Sequence, residues 1–257
     1  MLLAIDVGNT NIVYGLFDGE TLVQKFRVES VRGRTSDEYA IALRSLLAMR
    51  GVDPAAVDAA ILACVVPSLT EPMTRLVRDA FGRDVVVVGP GIRTGMAILI
   101  ENPREVGADR IADAVAGYER AKGGVIVVDF GTSTNFDVVT PRGEYLGGVL
   151  APGLQISADA LFSRAAKLPR VEVVKPPRVV GRNTVHAMQS GIVYGYVGLV
   201  DGLVERILAE LGYPCAVIAT GGLAPLIAPL SKTILVVDEE LTLLGLRILF
   251  DRNRGQF

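Results

Sequence analysis

Tryptophan is absent from this sequence of 257 residues, histidine occurs once, at His186, and cysteine twice, at Cys64 and Cys215. A single histidine with no cysteine near it argues against a zinc site, which draws three or four such ligands together. Each cysteine stands in an apolar run that reads as a buried strand. A reduced thiol behaves there as a small hydrophobe, the alternatives being a disulfide or a catalytic thiol. Basic clusters are missing too, and the net charge is −2, which speaks against nucleic acid as a partner. No uninterrupted apolar run approaches the roughly 18 residues that a membrane helix requires. The opening Met1-Leu2-Leu3-Ala4-Ile5-Asp6 reaches an acid too early for a secretory signal. The expected location is therefore cytoplasmic, with no membrane partner.

What the sequence has in quantity is apolar residues, at 50%, and glycine, at 28. That combination suits an α/β protein with many tight turns and close backbone approaches. The pattern divides into two halves with one order of elements. In the first, strands are expected at Leu2–Asp6, Ile12–Phe17 and Thr21–Val28. A helix follows from Thr35, which has capping-box spacing to Glu38, to about Met49. Then come a strand at Ala60–Val66, a helix at Ser68–Phe81, a strand at Asp84–Val88 and a helix at Ala108–Lys122. The second half opens with the near-continuous apolar strand Gly124–Asp129, then strands at Asn135–Thr140 and Glu144–Leu150. Helices at Gln155–Ala166 and Thr184–Leu211, a strand at Ala216–Thr220, a helix at Leu223–Ala228, a strand at Ile234–Val237 and a helix at Leu241–Arg252 complete it. The domains expected are residues 1–122 and 123–257. The stretch Lys167–Arg182 carries adjacent prolines and several basic residues; it reads as a solvated connection or as a lure for an anionic ligand.

Three turns could hold a nucleotide. In Asp6-Val7-Gly8-Asn9-Thr10, Gly8 lets backbone N–H groups approach a phosphate. Asp6 repels phosphate directly, so its chemical use is to hold Mg²⁺ through water. A plain hairpin turn fits the same residues. Asp129-Phe130-Gly131-Thr132 repeats this chemistry at the matching point of the second half, and Gly221-Gly222 between strand and helix suits packing against a flat nucleoside. The three together point to ATP.

Paired Asp-x-Gly turns at the first hairpin of duplicated halves resemble the actin/hexokinase superfamily. The resemblance implies two ribonuclease-H-like domains with mixed five-stranded sheets, built as a duplicated β-β-β-α-β-α-β-α order. More specifically, Glu101–Arg110, Asp129–Asp137, Gly143–Gly153, Gly181–Gly191 and Leu241-Thr242-Leu243-Leu244-Gly245-Leu246 resemble type III pantothenate kinases. The most specific piece is Gly107-Ala108-Asp109-Arg110.

That resemblance implies ATP-dependent phosphorylation of pantothenate by a homodimer. Asp6, Val7, Gly8, Asn9, Thr10, Asn11, Ile12 and Val13 would form the first phosphate loop, and Gly131 and Thr132 the second. Asp129 would bind a monovalent cation, K⁺ or NH₄⁺. Gly107, Ala108, Asp109 and Arg110 would hold pantothenate, with Asp109 as general base and Thr184 at the far end of the substrate. The helix start and Arg110 are expected to keep Asp109 ionised. Ile100 stands where the family often has Tyr in the substrate pocket, His186 where Glu is common, and Cys64 where Ser is commoner. A kinase of the same superfamily acting on another hydroxy compound, and a nucleotide-binding regulator without catalysis, are the competing readings.

Overall fold

The first strand, β1 (Leu2–Val7), alternates its side chains in the way a central strand must. Leu3, Ile5 and Val7 point into one apolar core; Ala4 and Asp6 therefore face the other side of the sheet. The structure, a computed structural model, describes residues 1–165 and 167–255. β1 pairs antiparallel with β2 (Asn11–Asp18), which pairs antiparallel with β3 (Thr21–Glu29). On its other edge β1 runs parallel to β4 (Ala59–Cys64), and β4 to β5 (Val85–Val87). The result is a mixed five-stranded sheet in the order β3-β2-β1-β4-β5.

Helices α1 (Ser36–Met49) and α2 (Pro67–Phe81) fill the core on the Leu3–Ile5–Val7 side with Tyr39, Leu43, Leu47, Leu69, Met73 and Val77. Thr35 and Glu38 form the capping box that the sequence announces, with Thr35 N donating to Glu38 Oε2 at 2.8 Å. α2 starts on Pro67, whose missing N–H costs nothing at a helix start, and ends on Gly82 at φ 64°.

The second sheet is built from β7 (Val125–Phe130), β8 (Ser133–Val139), β9 (Glu144–Pro152), β10 (Ala216–Thr220) and β11 (Val236–Val237). It has six strands, not five, in the order β11-β10-β7-β8-β9-β6, because the short β6 (Ala97–Ile98) adds to the edge of β9. The next residue continues that edge, with Leu99 N donating to Tyr145 O at 2.8 Å. No hydrophobic period could announce a two-residue strand. Here too the pleat divides the work: Ile126, Val128 and Phe130 enter a core closed by α5 (Thr184–Leu211), and Asp129 faces the opposite side. Between β9 and α5 lie α4 (Leu154–Arg164) and an irregular stretch; Ala166, expected to end α4, falls outside the described residues.

Helix α3 (Ala108–Ala121), the short α6 (Ala224–Ile227) and α7 (Leu241–Asn253) complete the chain. Two compact units emerge, and neither is one continuous segment. The first unit comprises Met1–Ala97, Glu101–Ala116 and the chain from Leu241 onward; the second comprises Ile98–Ile100 and Gly117–Glu240. A single cut after residue 122 thus misses the return of α7 to the first unit, where it packs on β1, β2 and β4.

Candidate active site

The turn between β1 and β2 is held from three directions. Gly8 N donates to Asn11 O at 3.0 Å and Ser30 Oγ donates to Gly8 O at 2.6 Å. Ser30 N in turn donates to Thr10 O at 3.0 Å. Asn9 and Thr10 stand exposed at its tip, while Asp6 is half-buried at the carboxyl end of the central strand. Asn11, Ile12 and Val13 lead away along β2, with Ile12 and Val13 paired to Val7 and Asp6. Ser30 carries no motif of its own, so nothing in the sequence singles it out.

The substrate motif lies in the same unit. Val65, just past β4, donates its N–H to Val7 O at 3.0 Å, and its Cγ1 lies 3.6 Å from where a β-carbon on Gly107 would stand. One residue thereby touches the strand leading into the phosphate turn and the motif at the start of α3. Before that helix, Asn102 Oδ1 accepts from Arg104 N at 3.3 Å and Asn102 Nδ2 donates to Glu105 Oε1 at 2.7 Å, shaping the approach. Ile111 N donates to Gly107 O at 3.1 Å, so Gly107 is the entry residue of α3.

Asp109 sits half-buried in the first turn of α3, and its Oδ1 accepts from Arg110 N at 2.8 Å. Burial pushes its carboxyl above the ordinary value; the backbone N–H and the guanidinium of Arg110 pull the other way and do not outweigh it. The helix start and Arg110, expected to keep it ionised, thus act against a desolvation that is the larger effect. A carboxylate so raised is a stronger proton acceptor than a solvated one.

In the second unit, glycine backbones crowd Asp129. A β-carbon on Gly131 would stand 3.2 Å from Asp129 Oδ2, and one on Gly221, at φ +88°, only 2.5 Å from Asp129 Oδ1. The parallel register of β7 and β10, with Asp129 opposite Thr220, brings Gly221 there. Gly131 N donates to Ser133 O at 3.1 Å, closing the turn that carries Thr132. The Thr132 carbonyl leaves no room for a side chain at Gly153, the residue that caps α4. Gly222 is exposed beside Gly221. Polyphosphate could thus meet peptide N–H groups here with few side chains in the way.

Thr184 opens α5 beside a cavity of about 840 Å³ that is also lined by Pro152, Ser157, Arg182, Met188 and Tyr196. Tyr196 steadies this wall: its hydroxyl donates to the carbonyl of Pro152 and lies within hydrogen-bond distance, 2.8 Å, of the Thr134 hydroxyl. Asn183 Oδ1 accepts from His186 N at 2.8 Å and Asn183 Nδ2 lies 3.3 Å from His186 Nδ1, so His186 serves the helix cap. Ile100 belongs to the second unit, where its Cγ2 lies 3.1 Å from a β-carbon placed on Gly147. Cys64 and Cys215 are free and only half-buried, Cys64 Sγ donating to Val66 O at 3.1 Å.

Among the described residues no cluster of three or more His, Cys, Asp or Glu could hold a metal alone, and no helix is long and apolar enough to cross a membrane. Residues brought together in the first unit are therefore Asp6–Val13 and Gly107–Arg110. In the second they are Asp129, Gly131, Thr132, Gly221 and Gly222, with Thr184 on the cavity and Ile100 at Gly147.

A family profile described as type III pantothenate kinase matches residues 2–206. The chain is 58% identical over 255 residues to a type III pantothenate kinase of Myxococcus xanthus (strain DK1622), covering 99% of this chain and 100% of the relative. Against the protein of that name from Pelobacter propionicus it is 59% identical over 254 residues, again 99% and 100% of the two chains. A solved ROK family glucokinase from Streptomyces griseus, in complex with glucose and AMPPNP, shares the fold at a TM-score of 0.54 and 15% identity, over 96% of this chain and 98% of that one. By the extent of these matches, the chain belongs to the type III pantothenate kinase family.

Proposed function

We infer that this protein transfers the γ-phosphoryl group of ATP to the primary hydroxyl of pantothenate, giving 4′-phosphopantothenate, the first step of coenzyme A biosynthesis. Full-length identity near 58% to type III pantothenate kinases carries the reading. In the proposed reaction the hydroxyl oxygen attacks the γ-phosphorus, the bond to the β-phosphate oxygen breaks, ADP leaves and Asp109 accepts the hydroxyl proton. A positioned carboxylate suits a loose phosphoryl-transfer transition state because it orients the alcohol and takes its proton late. Arg110 hydrogen-bonds a polar or anionic group of pantothenate, and Thr184 contacts its far end.

The donor set fits a metal carried by the nucleotide. Single carboxylates beside phosphate turns suit Mg²⁺, which keeps its waters and binds through one or two carboxylates plus phosphates. Asp6 would hold it through water, and when bound it neutralises charge on the transferring phosphate. Asp129, edged by Gly131 and Gly221, suits a monovalent cation that offsets like charge beside polyphosphate. Replacing K⁺ by tetramethylammonium at constant ionic strength should lower activity; unchanged turnover argues against a specific site.

The working form is a cytoplasmic homodimer. Support comes from apolar side chains open to solvent on the second unit, Val179 at 66% and Val180 at 80% exposure. Light scattering at micromolar concentration tests it, and a fully active monomer refutes it. A sugar kinase of the same fold is the rival enzyme, and an acceptor screen separates the two. Binding of ATP without any turnover would instead favour a regulator.

A further inference from the structure

The segment Leu241–Leu246 has no part in the chemistry above, yet it is built into the first unit at three points. Thr242, in the first turn of α7, donates through Oγ1 to Asp113 Oδ1 at 2.7 Å. Asp113 is 1% exposed and lies one helical turn after Asp109 on α3. One turn along α7, Gly245 meets the backbone of α3 directly; a β-carbon there would collide with the carbonyl of Ala112. Leu243, on the sheet side of α7, presses on β2 so that a β-carbon on Gly15 would stand 2.9 Å from its Cδ1.

These contacts lie on the side of the sheet that matters. Gly15 is the partner of Ala4, and Asp6 follows two residues on, facing the same way. Helix α7 therefore rests on the strand pair that carries the first phosphate turn and grips α3 one turn from Asp109. Two fixed points between α7 and α3, a backbone contact at Gly245 and a part-buried hydroxyl–carboxylate bond at Thr242, set both the depth and the rotation of α3. Asp113 also sits against the first turn of α7, where helix N–H groups favour a carboxylate.

We propose that Thr242 is a positioning residue: its bond to Asp113 fixes the first turn of α3 so that Asp109 meets the acceptor hydroxyl in line with phosphate held at the Asp6 turn. The proposal rests on the assignment of Asp109 as general base. Removing the bond leaves the phosphate turn intact and lets α3 rotate or slide, which misaligns the base without removing any group that touches substrate.

The test compares Thr242→Val, which keeps shape and loses the donor, with Thr242→Ser, which keeps the donor. Thr242→Val should lower kcat roughly tenfold or more with the KM for pantothenate and for ATP within about twofold, since small misplacements of reacting groups are costly. Thr242→Ser should recover most of the rate. If Thr242→Val does not fold, Thr242→Ala gives the same reading. A kcat within about twofold of wild type, or equal loss in the Val and Ser variants, overturns the proposal. Should the wild-type protein not phosphorylate pantothenate, the functional reading fails on its own. Titration of the Asp109 carboxyl by ¹³C NMR then still decides: a moved midpoint in the valine variant supports positioning, and an unmoved one overturns it.

Discussion

Gly107 and Asp109 are so close that a β-carbon at position 107 would stand 2.5 Å from Asp109 Oδ1. The carboxylate folds back over the start of its own helix, and only glycine leaves it that place. Gly107→Ala should therefore push the Asp109 side chain aside. The expected result is a kcat at least about tenfold lower with little change in ATP affinity, measured by steady-state kinetics and calorimetry. An alanine variant with wild-type kcat would show that the carboxylate is free to move without loss.

Asp109 also sets a pH dependence. Burial raises its carboxyl above the ordinary 3.8. The base must be ionised, so kcat/KM falls as pH drops through the raised value, and the acid limb lies above that of a solvated aspartate. A pH–rate profile of the wild-type enzyme checks this. An acid limb at or below the ordinary carboxylate value contradicts it.

At Gly221 the backbone has φ +88°, and a β-carbon would stand 2.5 Å from Asp129 Oδ1 and 2.7 Å from the Phe130 carbonyl. Gly221→Ala should cost roughly 1–3 kcal/mol of stability from the backbone conformation alone. It should weaken ATP binding as well, because Asp129 must shift. Urea unfolding and calorimetric titration with ATP measure the two effects.

Stability depends on another carboxylate. Asp201 on α5 is 8% exposed, and burial works against its charge. Hydrogen bonds from Ser231 Oγ at 2.6 Å, Thr233 Oγ1 at 2.8 Å and the backbone N–H groups of Lys232 and Thr233 outweigh that, and its carboxyl is held below 3.8. A depressed folded value contributes stability above the unfolded value and loses it as pH falls through the folded one. Asp201→Asn should destabilise by about 1–3 kcal/mol at pH 7. The gap to wild type should shrink once the pH is taken below the ordinary carboxylate range. Urea melts at both pH values test it; a pH-independent gap would exclude the charge as the cause.

Much of this was readable in the sequence. Leu2–Val7 and Val125–Phe130 are apolar runs too short for helices and bounded by turn residues, so the central strands and their Asp-x-Gly turns stand out. Thr35 and Glu38 announced their helix because a capping box is local. What stayed hidden depends on residues far apart in the chain. The bond between Asp113 and Thr242, the contact of Gly245 with Ala112 and the approach of Gly221 to Asp129 have no periodicity and no spacing rule. For the same reason the return of α7 to the first unit, and the sixth strand at Ala97–Ile98, appear only in three dimensions. Desolvation at Asp109 is likewise illegible in sequence, where only helix position and neighbouring charge are visible.

The decisive assay is phosphorylation of pantothenate by the purified protein with ATP, Mg²⁺ and K⁺, run beside Asp109→Asn. The wild-type enzyme should form 4′-phosphopantothenate and ADP in equal amounts. The variant, which keeps the shape and loses the acceptor charge, should retain ATP binding by calorimetry while kcat falls by about 10²-fold or more. A wild-type protein that leaves pantothenate unphosphorylated, or an Asp109→Asn enzyme with near-normal kcat, would contradict respectively the activity and the place of Asp109 in it.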